Sequence, residues 1–217
     1  MATELLPIEA VILAAGQSRR MGRPKLSLPW GDTTVLGHIL DTLETAGVSQ
    51  GLGGIVIVSG GAYAEIQAIL QIRQPVIETR LVFNPRFMED AMLVSLQIGI
   101  TALSSQCAAA LIVLGDQPQM TAETVQMILS AFQTQPQPLI APSYQMRRGH
   151  PWLVSRSLFP QLLELQPPLT LRDFFRHHAS QIHYISMDTP TILQDLDTPE
   201  DYQRYHPSSQ HDTPFGT

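Results

Sequence analysis

Apolar runs typical of buried strands alternate with amphipathic helix patterns along most of this chain. Residues 8–14, IEAVILA, are continuously apolar and rich in β-branched side chains, which predicts a strand covered on both faces. Residues 33–46 repeat apolar positions at helical spacing, with Gly47 at the predicted C-cap. Further strands are expected within residues 53–61, 79–85, 108–118 and 136–142, and helices within residues 62–70, 91–103 and 121–132. The alternation predicts a three-layer α/β/α sandwich with a mainly parallel sheet.

The composition favours one cytoplasmic domain over residues 1–206, followed by a disordered tail at 207–217. No apolar run approaches the roughly 18 residues that a bilayer-spanning helix requires, and the N-terminus is acidic where a secretory signal would be basic. Cys107 is the single cysteine, which excludes a disulfide framework and a CxxC metal site. The net charge of −6 argues against nucleic acid as a partner, and no membrane partner is expected.

The cationic residues are unevenly spread. Of the 13 Lys and Arg residues, four fall within residues 19–25, and one of these, Lys25, is the only lysine of the chain. A cluster of cations in a glycine-containing loop of an acidic protein favours a site for a small polyanion. The alternative is a solvated turn, which is what most charge clusters are.

The same loop has the composition of a phosphate cradle. The small residues Ala14, Ala15 and Gly16 allow close approach of the backbone to a ligand, and successive N–H groups in a turn can bind phosphate oxygens. Arg19 and Lys25 would add charge-assisted contacts. Neither the GxxxxGK[ST] pattern of a P-loop nor the GxGxxG pattern of a Rossmann loop is present, so both common nucleotide folds are disfavoured.

Carboxylates that could complete such a site follow other predicted elements. Asp116 comes directly after a buried strand, where it could face phosphates or simply cap a turn. Near the C-terminus, Pro199 is predicted to open a helix with Thr198 as its N-cap, and Asp195 or Asp197 could then point back toward Asp116. Since Mg²⁺ takes one or two carboxylates together with substrate phosphates, two such aspartates could hold this ion.

Residues 13–25, LAAGQSRRMGRPK, closely resemble the LAAGxSxRMGxxK signature of nucleotidyltransferases with a glycosyltransferase-A-like fold, the fold of nucleotide-diphospho-sugar transferases. Within that group the chain is similar to the molybdenum cofactor cytidylyltransferases of the MobA-like NTP transferase family. The resemblance spans nearly the whole chain, because it continues through LPW at 28–30, GDQP at 115–118, GHPWLVS at 149–155 and DLDTPEDY at 195–202.

The resemblance implies roles for individual residues. It makes Asp116 and Asp197 the Mg²⁺ ligands, and Arg19, Lys25 and Asp116 the catalytic residues. The nucleotide-binding residues that it implies are Leu13, Ala14, Ala15, Gly16, Lys25, Ser59, Gly60, Asn84 and Gly115. The acceptor-binding residues are Ser95, Gln117, Pro118 and His150. Turn chemistry or packing alone could also explain Ser59, Asn84 and His150.

The activity implied by the resemblance is Mg²⁺-dependent transfer of CMP from CTP to the phosphate of a molybdopterin-type cofactor, with release of pyrophosphate. CTP is favoured because guanylyl relatives tend toward LAGG where this chain has LAAG. One alternative is an enzyme of the same fold with another acceptor, such as a guanylyl or sugar-phosphate transferase. Another is a non-catalytic chaperone that delivers the cofactor to a molybdenum hydroxylase. Glycosyl transfer is a third, but GDQP has one carboxylate where a DxD-like pair would be expected.

Three further expectations remain. Two concern the C-terminal half, and one concerns a departure from the family. Residues 143–180 are expected to form a lid or second-substrate wall and not another sheet layer. His177 and His178 are expected to be structural or solvent-facing. At residues 89–91 the chain has Glu-Asp-Ala where relatives usually have a glycine, which alters the expected shape of the acceptor pocket.

Overall fold

The strands and helices follow the alternation of the sequence. The structure, a computed structural model, describes residues 5–89 and 92–210. Its strands are β1 Ile8–Ala14, β2 Pro29–Trp30, β3 Thr33–Thr34, β4 Leu52–Ser59, β5 Thr79–Phe83, β6 Ala109–Leu114, β7 Leu139–Tyr144, β8 Arg147–Arg148, β9 Trp152–Ser155 and β10 Ile182–Ser186. Its α-helices are α1 Val35–Gly47, α2 Tyr63–Arg73, α3 Met92–Thr101, α4 Ala122–Thr134, α5 Phe159–Leu163, α6 Leu171–His177 and α7 Pro199–Tyr205.

An eight-stranded sheet forms the centre of the fold, in the order β10-β7-β9-β6-β1-β4-β5, with β8 paired to β7. Strand β1 lies in the middle, parallel to β4 on one side and to β6 on the other. Strands β5 and β10 are also parallel to their neighbours, whereas β9 runs antiparallel to both β6 and β7. The carboxyl ends of β1, β4, β5, β6, β7 and β10 therefore lie along one edge of the sheet.

Both faces of the sheet are covered, as the continuous apolar run of β1 predicts. Alternate side chains of β1 point to opposite faces, so Ile8, Ala10 and Ile12 pack in one apolar cluster and Val11 packs in the other. The first cluster includes buried side chains of α1, α2 and α4, and the second includes those of α3, α5 and α6. The predicted three-layer α/β/α sandwich with a mainly parallel sheet is confirmed.

Threonine side chains cap the N-termini of four of the described α-helices, α1, α4, α6 and α7. Thr34 accepts a hydrogen bond from the Gly37 backbone at the start of α1, and Thr121 caps α4 in the same way. At α7, Thr198 and Asp201 form a reciprocal capping box with Pro199 in the first turn, so the helix start predicted after residue 198 is confirmed.

The C-terminal half adds short elements to the fold. Residues 143–180 form no further sheet layer, but β8 and β9 join the central sheet, and β9 is inserted between β6 and β7. Antiparallel pairing lets this short strand fill the gap between two parallel ones. A 3-10 helix over Pro207–Gln210 lies where a disordered tail was expected, and residues 211–217 of that tail lie outside the described residues. No helix in the described part of the chain is long and apolar enough to cross a bilayer.

Candidate active site

A cleft of about 560 Å³ opens at the carboxyl edge of the sheet, above the ends of β1 and β6. Ligands of open parallel sheets bind at this edge because the loops that follow the strands converge there. The described residues that line the cleft are Leu13, Ala14, Ala15, Gly16, Gln17, Ser18, Arg19, Arg20, Lys25, Leu26, Ala62, Asn84, Phe87, Met92, Ser95, Leu114, Gly115, Asp116, Asp195 and Asp197.

The loop after β1 presents unpaired donors to the cleft. The backbone N–H groups of Gly16, Gln17 and Ser18 donate no hydrogen bond to any residue that the structure describes. Ser18 lies in the left-handed region at φ 50°, and its Oγ accepts a hydrogen bond from the Lys25 backbone at 3.2 Å. This contact closes the loop on itself. Successive free N–H groups in a closed turn form a concave site for an anion.

Gly16 leaves space in the cleft. A Cβ placed on Gly16 would meet no protein atom within 4 Å, and the backbone there does not have a positive φ. Neither packing nor conformation therefore requires glycine at this position. Because Gly16 lines the cleft, the missing side chain gives room to whatever molecule binds there.

Lys25 bridges the carboxylates that the sequence analysis singled out. Its Nζ lies 2.6 Å from Asp116 Oδ2 and 3.7 Å from Asp197 Oδ1, and it donates to the Leu196 carbonyl at 3.2 Å. Arg20 forms a second ion pair with Asp197 at 3.0 Å. Residues far apart in sequence thus form one charged cluster on the wall of the cleft.

The segment 195–197 is fixed against the end of β6. The Leu196 backbone donates to the Asp116 carbonyl at 2.8 Å, and Gln117 Nε2 donates to Asp195 Oδ1 at 2.6 Å. Burial raises the pKa of Asp195, and the nearby Asp116 and Asp197 carboxylates raise it further.

The carboxylate cluster fits a metal that is shared with a ligand. Within residues 5–89 and 92–210, no three His, Cys, Asp or Glu side chains converge as a ready metal cage. Asp116 and Asp197, however, both approach a single point, the position of Lys25 Nζ, which is already taken by a cation. Two carboxylates completed by phosphate and water oxygens are the environment that Mg²⁺ commonly takes in proteins.

Asn84 and Ser95 form a buried polar pair on the opposite wall. Asn84 Nδ2 donates to Ser95 Oγ at 3.0 Å, while Asn84 Oδ1 accepts from the Arg86 backbone at 2.8 Å. Ser59 and Gly60 lie just behind this wall and do not line the cleft. A Cβ at Gly60 would meet Phe87 Cβ at 2.6 Å and the Ala15 carbonyl at 2.8 Å, so close packing accounts for this glycine.

Three of the predicted acceptor-binding residues lie outside the cleft lining. Gln117 is buried against Asp195, and Pro118 is buried beside it. The His150 backbone donates to the Ile192 carbonyl at 3.0 Å. Burial, together with the charge of the neighbouring Arg148, lowers the pKa of His150 to about 4. His150 is therefore a neutral, packed side chain at neutral pH.

His177, His178 and Cys107 all lie outside the cleft lining. His178 is buried against Phe174, and His177 is exposed, as expected. Cys107 is buried, and burial raises the pKa of its thiol to about 11, so the group stays protonated at neutral pH. Neither histidine nor the cysteine faces the cleft.

Several lining residues were not assigned a role from the sequence. Arg20 was noted only as part of the cation cluster, and Asp195 only as an alternative to Asp197. The others are Gln17, Ser18, Leu26, Ala62, Phe87, Met92 and Leu114. Ser18 and Arg20 occupy fixed positions of the LAAGxSxRMGxxK signature, so these two were indicated by the sequence, whereas Gln17 occupies a variable position. No sequence signal marks Phe87 or Met92. An apolar side chain in a turn, or at the start of a helix, cannot be distinguished from a packing residue by sequence.

A mainly parallel sheet with a lysine–carboxylate cluster at its carboxyl edge is the arrangement of a nucleotidyltransferase with a glycosyltransferase-A-like fold. The chain belongs to the MobA-like NTP transferase domain family, and the model of that family matches residues 10–182.

Individual relatives cover almost the whole chain. The molybdenum cofactor cytidylyltransferase of Escherichia coli (strain K12) is 26% identical, over 90% of this chain and 93% of its own length. Nicotine blue oxidoreductase of Paenarthrobacter nicotinovorans is 27% identical, over 93% of this chain and 98% of its own.

Among solved structures, Rv0371c of Mycobacterium tuberculosis H37Rv superposes with a TM-score of 0.78 at 27% identity, covering 93% of this chain and 98% of that chain. The same protein has been solved in complex with manganese, and that structure superposes with a TM-score of 0.67 at 26% identity, covering 92% and 98% of the two chains.

Proposed function

We propose that this protein transfers CMP from CTP to the terminal phosphate of a molybdopterin-type cofactor, forming a dinucleotide cofactor and pyrophosphate. The observation that carries the proposal is the convergence of Lys25, Asp116 and Asp197 beside the unpaired N–H groups of the loop after β1. Such a site offers donors and cations to a triphosphate and carboxylates to its metal ion. The cytidylyltransferase relative supports the choice of CTP and of the acceptor.

The chain's own residues would act by positioning and charge neutralisation. The N–H groups of Gly16, Gln17 and Ser18 would hold phosphate oxygens, and Arg19 and Lys25 would balance their negative charge. An acceptor phosphate oxygen then forms a bond to the α-phosphorus while the bond between the α-phosphorus and the bridging oxygen breaks. Pyrophosphate leaves with that oxygen. No side-chain nucleophile is needed, which agrees with a protonated Cys107 outside the cleft.

Asp116 and Asp197 would hold Mg²⁺ or a similar divalent ion. When bound, such an ion neutralises charge on the triphosphate and on the departing pyrophosphate. The solved manganese complex of Rv0371c supports a divalent metal in this family. The product would pass to a molybdenum hydroxylase, as the cytidylyl branch of the family implies.

The test is a comparison of nucleotides with one acceptor. Purified protein, Mg²⁺ and molybdopterin carrying molybdenum are incubated with CTP or GTP, pyrophosphate release is followed, and the dinucleotide is identified by mass spectrometry. We expect release with CTP that depends on the acceptor. Turnover with GTP alone would replace the cytidylyl assignment by a guanylyl one, and turnover only with a sugar phosphate would replace the acceptor.

The oxidoreductase relative gives a second candidate. Nicotine blue oxidoreductase matches this chain over as much of its length as the cytidylyltransferase does, so a redox activity on a similar substrate is worth measuring. The lysine and paired carboxylates of the cleft favour nucleotidyl transfer, because hydride transfer requires no metal-triphosphate site. Reduction of nicotine blue by this protein, without pyrophosphate release from CTP, would reverse the preference.

A further inference from the structure

Both carboxylates assigned to the metal carry a cationic partner from the loop after β1. Asp116 Oδ2 is 2.6 Å from Lys25 Nζ, and Asp197 Oδ2 is 3.0 Å from Arg20. The remaining Asp197 oxygen also faces Lys25 at 3.7 Å. The loop proposed to bind phosphates and the carboxylates proposed to bind the metal are thus paired with each other.

The two sets of contacts compete for the same atoms. A divalent ion at Asp116 and Asp197 would lie within a few ångströms of Lys25 Nζ, and like charges at that separation repel strongly where solvent is scarce. Lys25 and Asp116 are largely shielded from solvent, with 13% and 24% of their side chains exposed, whereas Asp197 is 40% exposed. Arg20 is 67% exposed, so water and salt weaken its hold on Asp197.

We propose that Lys25 and Arg20 are exchangeable counter-ions of the metal site. In the free protein they occupy Asp116 and Asp197 and keep a divalent ion out. A bound triphosphate offers them stronger partners, and their departure opens both carboxylates to the ion. This inference rests on the proposed function, which supplies the metal and the triphosphate, and it gives Arg20 a positioning role through Asp197.

The first test uses Mn²⁺ alone, without nucleotide. Mn²⁺ affinity is measured by electron paramagnetic resonance for the wild type, Lys25→Met and Arg20→Gln. Removing the cation should tighten Mn²⁺ binding by roughly tenfold or more for Lys25→Met, and by less for the exposed Arg20. Arg172→Gln is the matched control, because it changes net charge equally from an exposed position on α6, away from the cleft.

Outcomes of this test separate the inference from the proposed function. Asp116→Asn and Asp197→Asn, each combined with Lys25→Met, should abolish the tight Mn²⁺ binding. If the aspartate substitutions lower Mn²⁺ affinity but Lys25→Met alone binds Mn²⁺ no more tightly than Arg172→Gln, the counter-ion inference is wrong and the metal site stands. If Mn²⁺ affinity is unchanged by substitution of Asp116 and of Asp197, with or without Lys25→Met, the metal assignment of the proposed function is wrong as well.

The second test reverses the competition. In the presence of EDTA, inorganic tripolyphosphate offers the phosphate oxygens without a base or a metal, and its affinity is measured by calorimetry. Asp116→Asn frees Lys25 from its partner, so tripolyphosphate should bind this variant several-fold more tightly than the wild type. Lys25→Met should bind it more weakly. Equal affinity for the wild type and Asp116→Asn would overturn the inference, because the cations would then not be held by the carboxylates.

Discussion

Two segments that lie at the same edge of the sheet differ in almost every physical respect. The loop after β1 is rich in cations, has unpaired N–H groups, and contains a glycine with empty space beside it. The segment before β9 is packed. There a Cβ on Gly149 would lie 2.3 Å from the Ile192 carbonyl, and His150 is neutral through burial.

The difference shows what distinguishes a binding segment from a supporting one. Both segments match the family signature, and the resemblance implies substrate contacts in both. A ligand site needs donors that the protein itself leaves unsatisfied and space that it leaves unfilled, and only the loop after β1 has both. In the segment before β9, the polar groups and the glycine make contacts within the protein.

The largest expected effect concerns the charged cluster beside the loop. Asp116→Asn should lower kcat/KM for CTP by about 10²–10³-fold or more. The metal ion that neutralises charge on the triphosphate would lose one of its carboxylate ligands. Asp188→Asn is the control, an exposed aspartate that does not line the cleft. Full biological activity in Asp116→Asn and in Asp197→Ala would favour the cofactor chaperone over the enzyme.

In the packed segment, Gly149→Ala should lower the free energy of unfolding by about 1–3 kcal/mol, since the new Cβ would press on the Ile192 backbone. Urea denaturation measures this loss. Gly53→Ala provides the comparison, because a Cβ there meets nothing within 4 Å. Equal urea midpoints for the two variants would show that the segment before β9 is looser than the structure indicates.

The neutral His150 should make the packed segment sensitive to acid. Its pKa is about 4 in the folded protein, below its ordinary value of 6.5, so the unfolded chain binds the proton first as pH falls. Its contribution to stability is complete above pH 6.5 and is lost progressively between pH 6.5 and pH 4. Between pH 7 and pH 5 the wild type should lose roughly 1–2 kcal/mol more than His150→Gln in urea titrations. Parallel losses in the two proteins would mean that His150 is accessible to protons.

The smallest expected effect is in the loop after β1. Gly16→Ala should leave the melting temperature unchanged, because its Cβ contacts no protein atom, while raising KM for CTP about tenfold by crowding the ligand. Together with Gly149→Ala, it forms a pair of identical substitutions with opposite consequences. A lower melting temperature with an unchanged KM for Gly16→Ala would remove the distinction between the two segments.

Local sequence signals predicted the framework well. The continuous apolar run of β1 and the N-cap Thr198 before Pro199 specify their elements within a few neighbouring residues. Strand β9 was missed, because a four-residue apolar run carries no sign of the partners between which it inserts. Only long-range pairing with β6 and β7 makes it part of the sheet.

The site was predictable where a motif fixed both residue and position. Lys25, Asp116 and Asp197 meet in the cleft, although their roles in binding and catalysis stay predictions. The ion pair of Arg20 with Asp197 depends on how two distant segments dock, and sequence does not reveal that. The same holds for His150, whose burial depends on packing around Ile192. Asp90 and Ala91, in the segment where the chain departs from its relatives, lie outside the described residues.

The backbone hydrogen bond from Leu196 to Asp116 and the contact of Lys25 with Leu196, 171 positions apart, tie the beginning of the chain to its end. A growing polypeptide therefore holds only parts of the cleft until residues 195–197 have been synthesised and have docked beside β6. On the proposed function, a copy without residues 195–197 lacks part of its metal site. Activity therefore requires that this segment has been synthesised and has docked beside β6.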